Sequence, residues 1–250
     1  MTPFSALGPA AKPLGLVAED KTSIYFFGTR HCGETELRQL FSGLEFSRTQ
    51  QVHGSDWAES KPVHIGQMAP SVKADAQWSQ SENLGLIVST ADCLPILISG
   101  PNFVAAVHAG WRGVKNEIVL KGLTQLQKKY SFRGDELTVC IGPHIHAENF
   151  EVDRELAQDF SQLYDSYFDQ YSHLTAAMRT DVVLPHSSNQ KAYVNLLAVA
   201  LAQLGAFGIP RQNIADVKVN TYTSADYSSF RRDKAVGRNF SFVARRPRKE

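Results

Sequence analysis

The segment Ser89-Thr-Ala-Asp-Cys93-Leu-Pro-Ile-Leu-Ile-Ser-Gly-Pro-Asn-Phe-Val-Ala-Ala-Val-His108-Ala-Gly-Trp-Arg-Gly113 constrains this chain more than any other. Two apolar, β-rich runs flank Gly100, Pro101 and Asn102, residues of a tight reversal, which predicts an antiparallel hairpin. If Ser99 to Asn102 form the loop and Ile98 pairs with Phe103, Cys93 stands directly opposite His108. Paired residues share a sheet face with Cβ atoms ~4.5–5.5 Å apart. A thiolate and an imidazole so placed can hold one metal ion. A loop longer or shorter by one residue would put them on opposite faces.

An isolated Cys/His pair is more often a core cysteine beside an incidental histidine, and a metal site needs a further ligand. His53 supplies one, on a turn in Gln51-Val-His53-Gly54. Two histidines and one cysteine leave a fourth position open, the pattern of a catalytic rather than a structural zinc. Zinc of that kind lowers the pKa of its water to about 7 and makes a hydroxide nucleophile. Just beyond His108, Ala109-Gly-Trp-Arg-Gly113 leads into a helix expected to begin near Val114. A helix start offers free N–H groups to an anion, and Arg112 adds a planar guanidinium suited to phosphate or carboxylate.

Around this centre the pattern predicts a mixed α/β domain with largely antiparallel sheets flanked by helices. Short strands are expected at Ser23–Phe27, Gly85–Ser89, Leu94–Ser99, Phe103–His108, Glu136–Ile141, Val217–Tyr222 and Ser241–Val243. Helices are expected at Glu34–Phe41, Val114–Tyr130, Asp153–Phe168 and Ala192–Leu204. Pro3, Pro9 and Pro13 with Gly8 and Gly15 make residues 1–22 an irregular lead to a single catalytic domain over 23–244. Residues 245–250, with Arg245, Arg246, Arg248 and Lys249, read as a solvated basic tail.

Composition narrows the function classes. Lys and Arg total 26 against 25 Asp and Glu, a net charge of +1 that gives no support to a nucleic-acid partner. The apolar stretches Leu84–Ile98 and Leu196–Phe207 are broken by Asp92 and Gln203, short of the ~18 residues a membrane span needs. Met1 to Val17 has no basic region leading into an apolar core, and three cysteines are too few for a disulfide scaffold. A cytoplasmic protein without a membrane partner is expected.

Gln51-Val-His53-Gly54, Ala74-Asp75-Ala76, Thr90-Ala-Asp-Cys93-Leu-Pro, Val107-His-Ala-Gly-Trp-Arg-Gly113, Ile141-Gly-Pro143 and Phe230-Arg-Arg-Asp233 with Gly237-Arg238 occur in this order. Together they resemble the bacterial laccase-domain family, also described as multicopper polyphenol oxidase, purine nucleoside phosphorylase and peptidoglycan editing factor. The resemblance runs from about Phe26 to Phe242. It implies zinc, with copper as the alternative, on His53, Cys93 and His108. It also implies phosphorolysis of adenosine, inosine, guanosine and methylthioadenosine, and deamination of adenosine. Nucleoside and phosphate are then the small-molecule partners. Arg112 and Arg30 are the candidates for phosphate, Asp75 and Asp92 for acid/base work, with Asp92 equally placed to orient an imidazole. Phe230 is expected to cover the purine ring and Arg231, rather than Arg232, to touch substrate.

Two other chemistries remain open at this point. Cys93 as a nucleophile with His108 as its base would make an amide or peptide hydrolase, which suits peptidoglycan editing. Copper-dependent phenol oxidation needs several ions, and His144-Ile-His146 is the only His-x-His pair in the chain. The chain also departs from the family pattern at Gly28-Thr-Arg-His-Cys32-Gly33, at His144 after Ile-Gly-Pro, and at Asn220-Thr221. Those departures bear on substrate preference more than on the metal ligands.

Overall fold

The computed structural model describes residues 1–62, 72–234 and 237–247. The first sheet runs β1 (Ser5–Leu7), β2 (Gly15–Glu19), β3 (Ser23–Gly28), β15 (Asn239–Arg245), β7 (Leu84–Thr90), β4 (Glu45–Arg48). The second runs β14 (Ile214–Asp216), β10 (Thr138–Ile141), β8 (Leu94–Ser99), β9 (Val104–Ala109), β6 (Ala76–Ser79), β5 (Trp57–Glu59). A small third sheet orders β11 (Glu151–Asp153), β13 (Lys191–Val194) and β12 (Val183–Leu184). Only β4–β7, β5–β6 and β10–β14 pair in parallel among these strands. The helices are α1 (Glu34–Leu40), α2 (Trp111–Lys115), α3 (Ile118–Lys129), α4 (Arg154–Gln170), α5 (Leu196–Ala206) and α6 (Phe230–Asp233). The fold is mixed α/β, as the sequence pattern implies.

Side-chain alternation sets the layers. Along β8, Ile96 and Ile98 join Val107, Leu123, Phe160 and Val199 on the helical side, whereas Leu97 joins Tyr25, Phe27, Leu86 and Val243 between the two large sheets. A strand covered on both faces reads as a near-continuous apolar run, and β8 up to Ser99 and β9 apart from His108 do. Phe26, Ile87 and Phe242 pack the outer face of the first sheet against Leu37 of α1.

The hairpin forms, with a register two residues away from the expected one. Ser99 pairs with Val104 and Pro95 with His108, so Cys93 is not directly opposite His108. Phe103 causes the difference. Its ring lies over Gly100, where an added Cβ would come within 2.5 Å of Cε1, and Gly100 N–H donates to Phe103 O at 2.9 Å. The reversal is thereby tightened to Pro101-Asn102. A shift of two preserves the alternation, so Cys93 and His108 still share the face towards the first sheet.

Other boundaries move for identifiable reasons. Residues 1–22 carry β1 and β2 rather than an irregular lead, with the three prolines outside the strands. The helix expected over Val114–Tyr130 is divided at Glu117, which has φ 62° and accepts a hydrogen bond from Tyr167 Oη at 3.1 Å. Ala192 to Val194 belong to β13, and Asn195 caps α5 by accepting from Ala198 N–H at 3.1 Å. Val217–Tyr222 is not a strand; Lys218 at φ 54° interrupts it, leaving an isolated bridge between His144 and Asn220. In the basic tail, Arg245 ends β15 and donates to Gln80 O at 2.8 Å, and Arg246 pairs with Glu19. Arg248 and Lys249 lie outside the described residues.

Candidate metal centre

The turn that carries His53 is held from two sides. Gln51 donates from Nε2 to Ser89 O at 2.8 Å and accepts from Ser89 N–H at 2.7 Å, which clamps the turn to the end of β7. On the other side Asp75, wholly buried, accepts the N–H groups of Val52, His53 and Gly54 at 3.1, 2.9 and 2.6 Å. These bonds hold His53 at φ 58°, a conformation rare outside glycine.

Asp75 also faces His108: Oδ1 lies 2.8 Å from Nδ1. That contact leaves Nε2 of His108 for a metal, the arrangement by which a carboxylate fixes a ligating imidazole. Burial works against the Asp75 carboxylate, but His108 and the amides of Gly54 and Val52 prevail and keep it below the ordinary carboxylate range.

The ligand atoms of His53, Cys93 and His108 all lie within 4.8 Å of one another. They are the only such group of three among the described residues. The imidazoles meet edge to face with centroids 4.9 Å apart. Burial pushes the Cys93 thiol up, but hydrogen bonds with His108 and His53 outweigh it and bring its pKa down to about 7. Burial pushes His108 down, yet Asp75 and Cys93 raise it to about 9. Without metal the two therefore favour a thiolate and an imidazolium.

Gly110 keeps this cluster open. A Cβ there would sit 3.1 Å from Cys93 Sγ, 3.5 Å from His53 Cδ2 and 3.8 Å from His108 Cε1. Two imidazoles, one thiolate and space beside them fit a single metal ion, and the donor types suit zinc or copper.

The cluster opens into a cavity of about 960 Å³, lined also by Asp92, Trp111, Arg112, Phe150, Glu151, Phe230 and Arg231. Arg112 lies inside α2, which begins at Trp111 rather than near Val114, and its guanidinium stacks 4.3 Å from the Trp111 ring. Phe230 is 54% exposed. Arg231 donates to Glu151 O at 3.0 Å and lies 5.3 Å over Phe150. Arg232, by contrast, donates to the carbonyls of Thr221, Tyr222, Ser224 and Tyr227 and closes on Asp233. Arg30 is not among the cavity-lining residues; its guanidinium sits 3.6 Å from Asp233 and donates to Ala225 O at 3.4 Å. Phe150 and Glu151 went unread in the sequence, because they reach the cavity through the small third sheet and no local motif marks them.

A family model described as multi-copper polyphenol oxidoreductase laccase matches residues 33–246. The chain belongs to that family. It is 30% identical to the purine nucleoside phosphorylase PA4543 of Pseudomonas aeruginosa over 84% of this chain and 79% of that protein. It is also 30% identical to a purine nucleoside phosphorylase of Bacteroides thetaiotaomicron, where the match spans 61% of this chain but only 53% of the relative. Adenosine deaminase RL5, from an unknown prokaryotic organism, is 28% identical over 66% of this chain and 58% of its own length. The crystal structure of YlmD from Geobacillus stearothermophilus superposes with a TM-score of 0.79 at 22% identity, covering 98% of this chain and all of that one, a likeness of fold. No helix among the described residues is long and apolar enough to cross a membrane.

Proposed function

We propose that this family member is a cytoplasmic, zinc-dependent purine nucleoside enzyme that phosphorolyses adenosine, inosine, guanosine and methylthioadenosine and deaminates adenosine. The observation that carries the reading is the convergence of His53, Cys93 and His108 at a cavity lined by Arg112, Phe230 and Arg231. Relatives named purine nucleoside phosphorylase and adenosine deaminase support the same class.

In phosphorolysis a phosphate oxygen bonds to C1′ of the ribose while the C1′–N9 bond breaks, and the purine leaves with the electron pair and takes up a proton. In deamination oxygen from water replaces the C6 amino group, released as ammonia. Zinc on the cluster supplies Lewis acidity. Arg112 binds the phosphate, with its guanidinium fixed against Trp111. Phe230 stacks on the purine face, and Arg231 holds a polar group of the nucleoside. Asp75 keeps Nδ1 of His108 hydrogen-bonded and the His53 turn in place.

A second reading rests on the depressed Cys93 thiol. A free Cys93 thiolate beside His108 suits a cysteine hydrolase of the peptidoglycan-editing kind, but zinc on Cys93 would block that nucleophile. Phenol oxidation, named in the family description, needs several copper ions, and the described residues gather donors for one.

The test is a nucleoside panel on metal-analysed protein with and without phosphate. Phosphate-dependent release of free purine is expected, with phosphate-independent conversion of adenosine to inosine. Absence of both from every nucleoside in the panel would contradict the reading.

A further inference from the structure

Asp92 stands between a metal-ligating cysteine and the turn that carries two substrate-facing residues. It has φ 91°, a left-handed backbone conformation unfavourable for a side-chain-bearing residue. Three bonds hold it there. Its carbonyl accepts Ile145 N–H at 3.0 Å, Oδ1 accepts the Thr221 hydroxyl at 2.7 Å, and Oδ2 accepts Arg231 N–H at 2.6 Å. Each carboxylate oxygen thus holds a donor on a segment more than a hundred residues away in sequence. Thr221 is itself wholly buried, and its carbonyl accepts Arg232 Nη1 at 2.8 Å. Arg232 continues to Tyr222, Ser224 and Tyr227 at 2.8–3.0 Å.

We propose that Asp92 is a positioning residue, a fixed acceptor that ties the Cys93 end of β8 to α6 and so sets the distance between the metal ligands and Phe230 and Arg231. Asp92 lines the cavity, but each of its oxygens already accepts a protein donor, so the carboxylate is committed to the tie before substrate arrives. The assignment rests on the proposed function in one respect, that Phe230 and Arg231 touch substrate.

The test compares Asp92→Asn and Thr221→Val with the zinc-loaded wild type. An asparagine keeps both contacts only by accepting Arg231 N–H on its oxygen and donating its amide N–H to the Thr221 hydroxyl, so both bonds lose their charge assistance. That loss should raise the nucleoside KM about tenfold, with kcat little changed and zinc per chain intact. Thr221→Val should move KM the same way by less. Combined with Phe230→Ala, Asp92→Asn should add less than the sum of the single effects, because both changes act on one contact. A fall in kcat at constant KM would overturn the proposal in favour of a proton carrier, as would wild-type kinetics in both variants. If Asp92→Asn fails to fold, Thr221→Val carries the comparison. Hydrogen exchange gives a readout without turnover: amides of residues 230–233 should exchange faster in either variant. Unchanged exchange there overturns the tie itself. Faster exchange in a chain that turns over no nucleoside leaves the tie standing and removes the nucleoside reading.

Discussion

Asp75 and His108 meet at 2.8 Å in the wholly buried base of the site, and the same carboxylate accepts the backbone N–H of His53 at 2.9 Å. One side chain therefore orients two of the three candidate metal ligands. Asp75→Asn keeps the size but loses the charge and one of the acceptors. Metal affinity should fall about 10–100-fold while the protein remains folded, read by chelator competition alongside circular dichroism.

Gly110→Ala tests the space rather than the ligands. The added methyl would stand 3.1 Å from Cys93 Sγ, tight enough to displace the thiolate by a few tenths of an ångström, while meeting both imidazoles at ordinary contact distance. Zinc stoichiometry should drop with only a small change in melting temperature. Full zinc occupancy in that variant would show that the cluster opens elsewhere.

The Cys93–His108 pair gives a pH prediction for metal-stripped protein. Cys93 is lowered to about 7, so its stabilisation is present above the unfolded thiol value and is lost as pH falls through about 7. His108 is raised to about 9, so its stabilisation is present below the unfolded imidazole value and is lost as pH rises through about 9. The ion pair occupies the window between. Alkylation of Cys93 by iodoacetamide should accordingly rise near pH 7 rather than near the ordinary thiol value of 9, and zinc should suppress it.

Arg112→Lys keeps a positive charge but loses the planar fork stacked on Trp111. Phosphorolysis should fall about tenfold or more, without a matching loss of thermal stability. Phe230→Ala removes an exposed ring, so nucleoside KM should rise roughly three- to tenfold with zinc content intact.

The helical layer has its own test in Gly122. A Cβ at this position of α3 would fall 2.0 Å from Trp57, whose Nε1 donates to Ile118 O at 2.8 Å. Gly122→Ala should destabilise the fold by about 1–3 kcal/mol, measured by denaturant unfolding.

The His53–Cys93–His108 cluster was legible because each residue sits in a short motif, and hairpin alternation placed Cys93 and His108 on one face even though the register was off by two. That register depended on the Phe103 ring over Gly100, a packing choice that turn propensity does not encode. The break in the long helix was illegible for a similar reason: it falls at Glu117, at positive φ, whose side chain meets Tyr167 from α4, a contact distant in sequence. Ala74-Asp75-Ala76 stood out as a motif, but its donors come from residues 52–54 and 108, and only the folded chain brings them together. Arg231 and Arg232 are adjacent and alike in sequence. The backbone carbonyls of Thr221, Tyr222, Ser224 and Tyr227 separate them by engaging Arg232 and leaving Arg231 at the cavity.

The most direct test is metal stoichiometry against activity in wild type, Cys93→Ala and His108→Ala, each purified from zinc-supplemented cells. The wild type should carry about one zinc per chain, the coordination number of such a site being met by three protein ligands and one open position. Both variants should lose the metal and the nucleoside activity while remaining folded. Wild-type protein that is metal-free after zinc supplementation and still active would contradict the account.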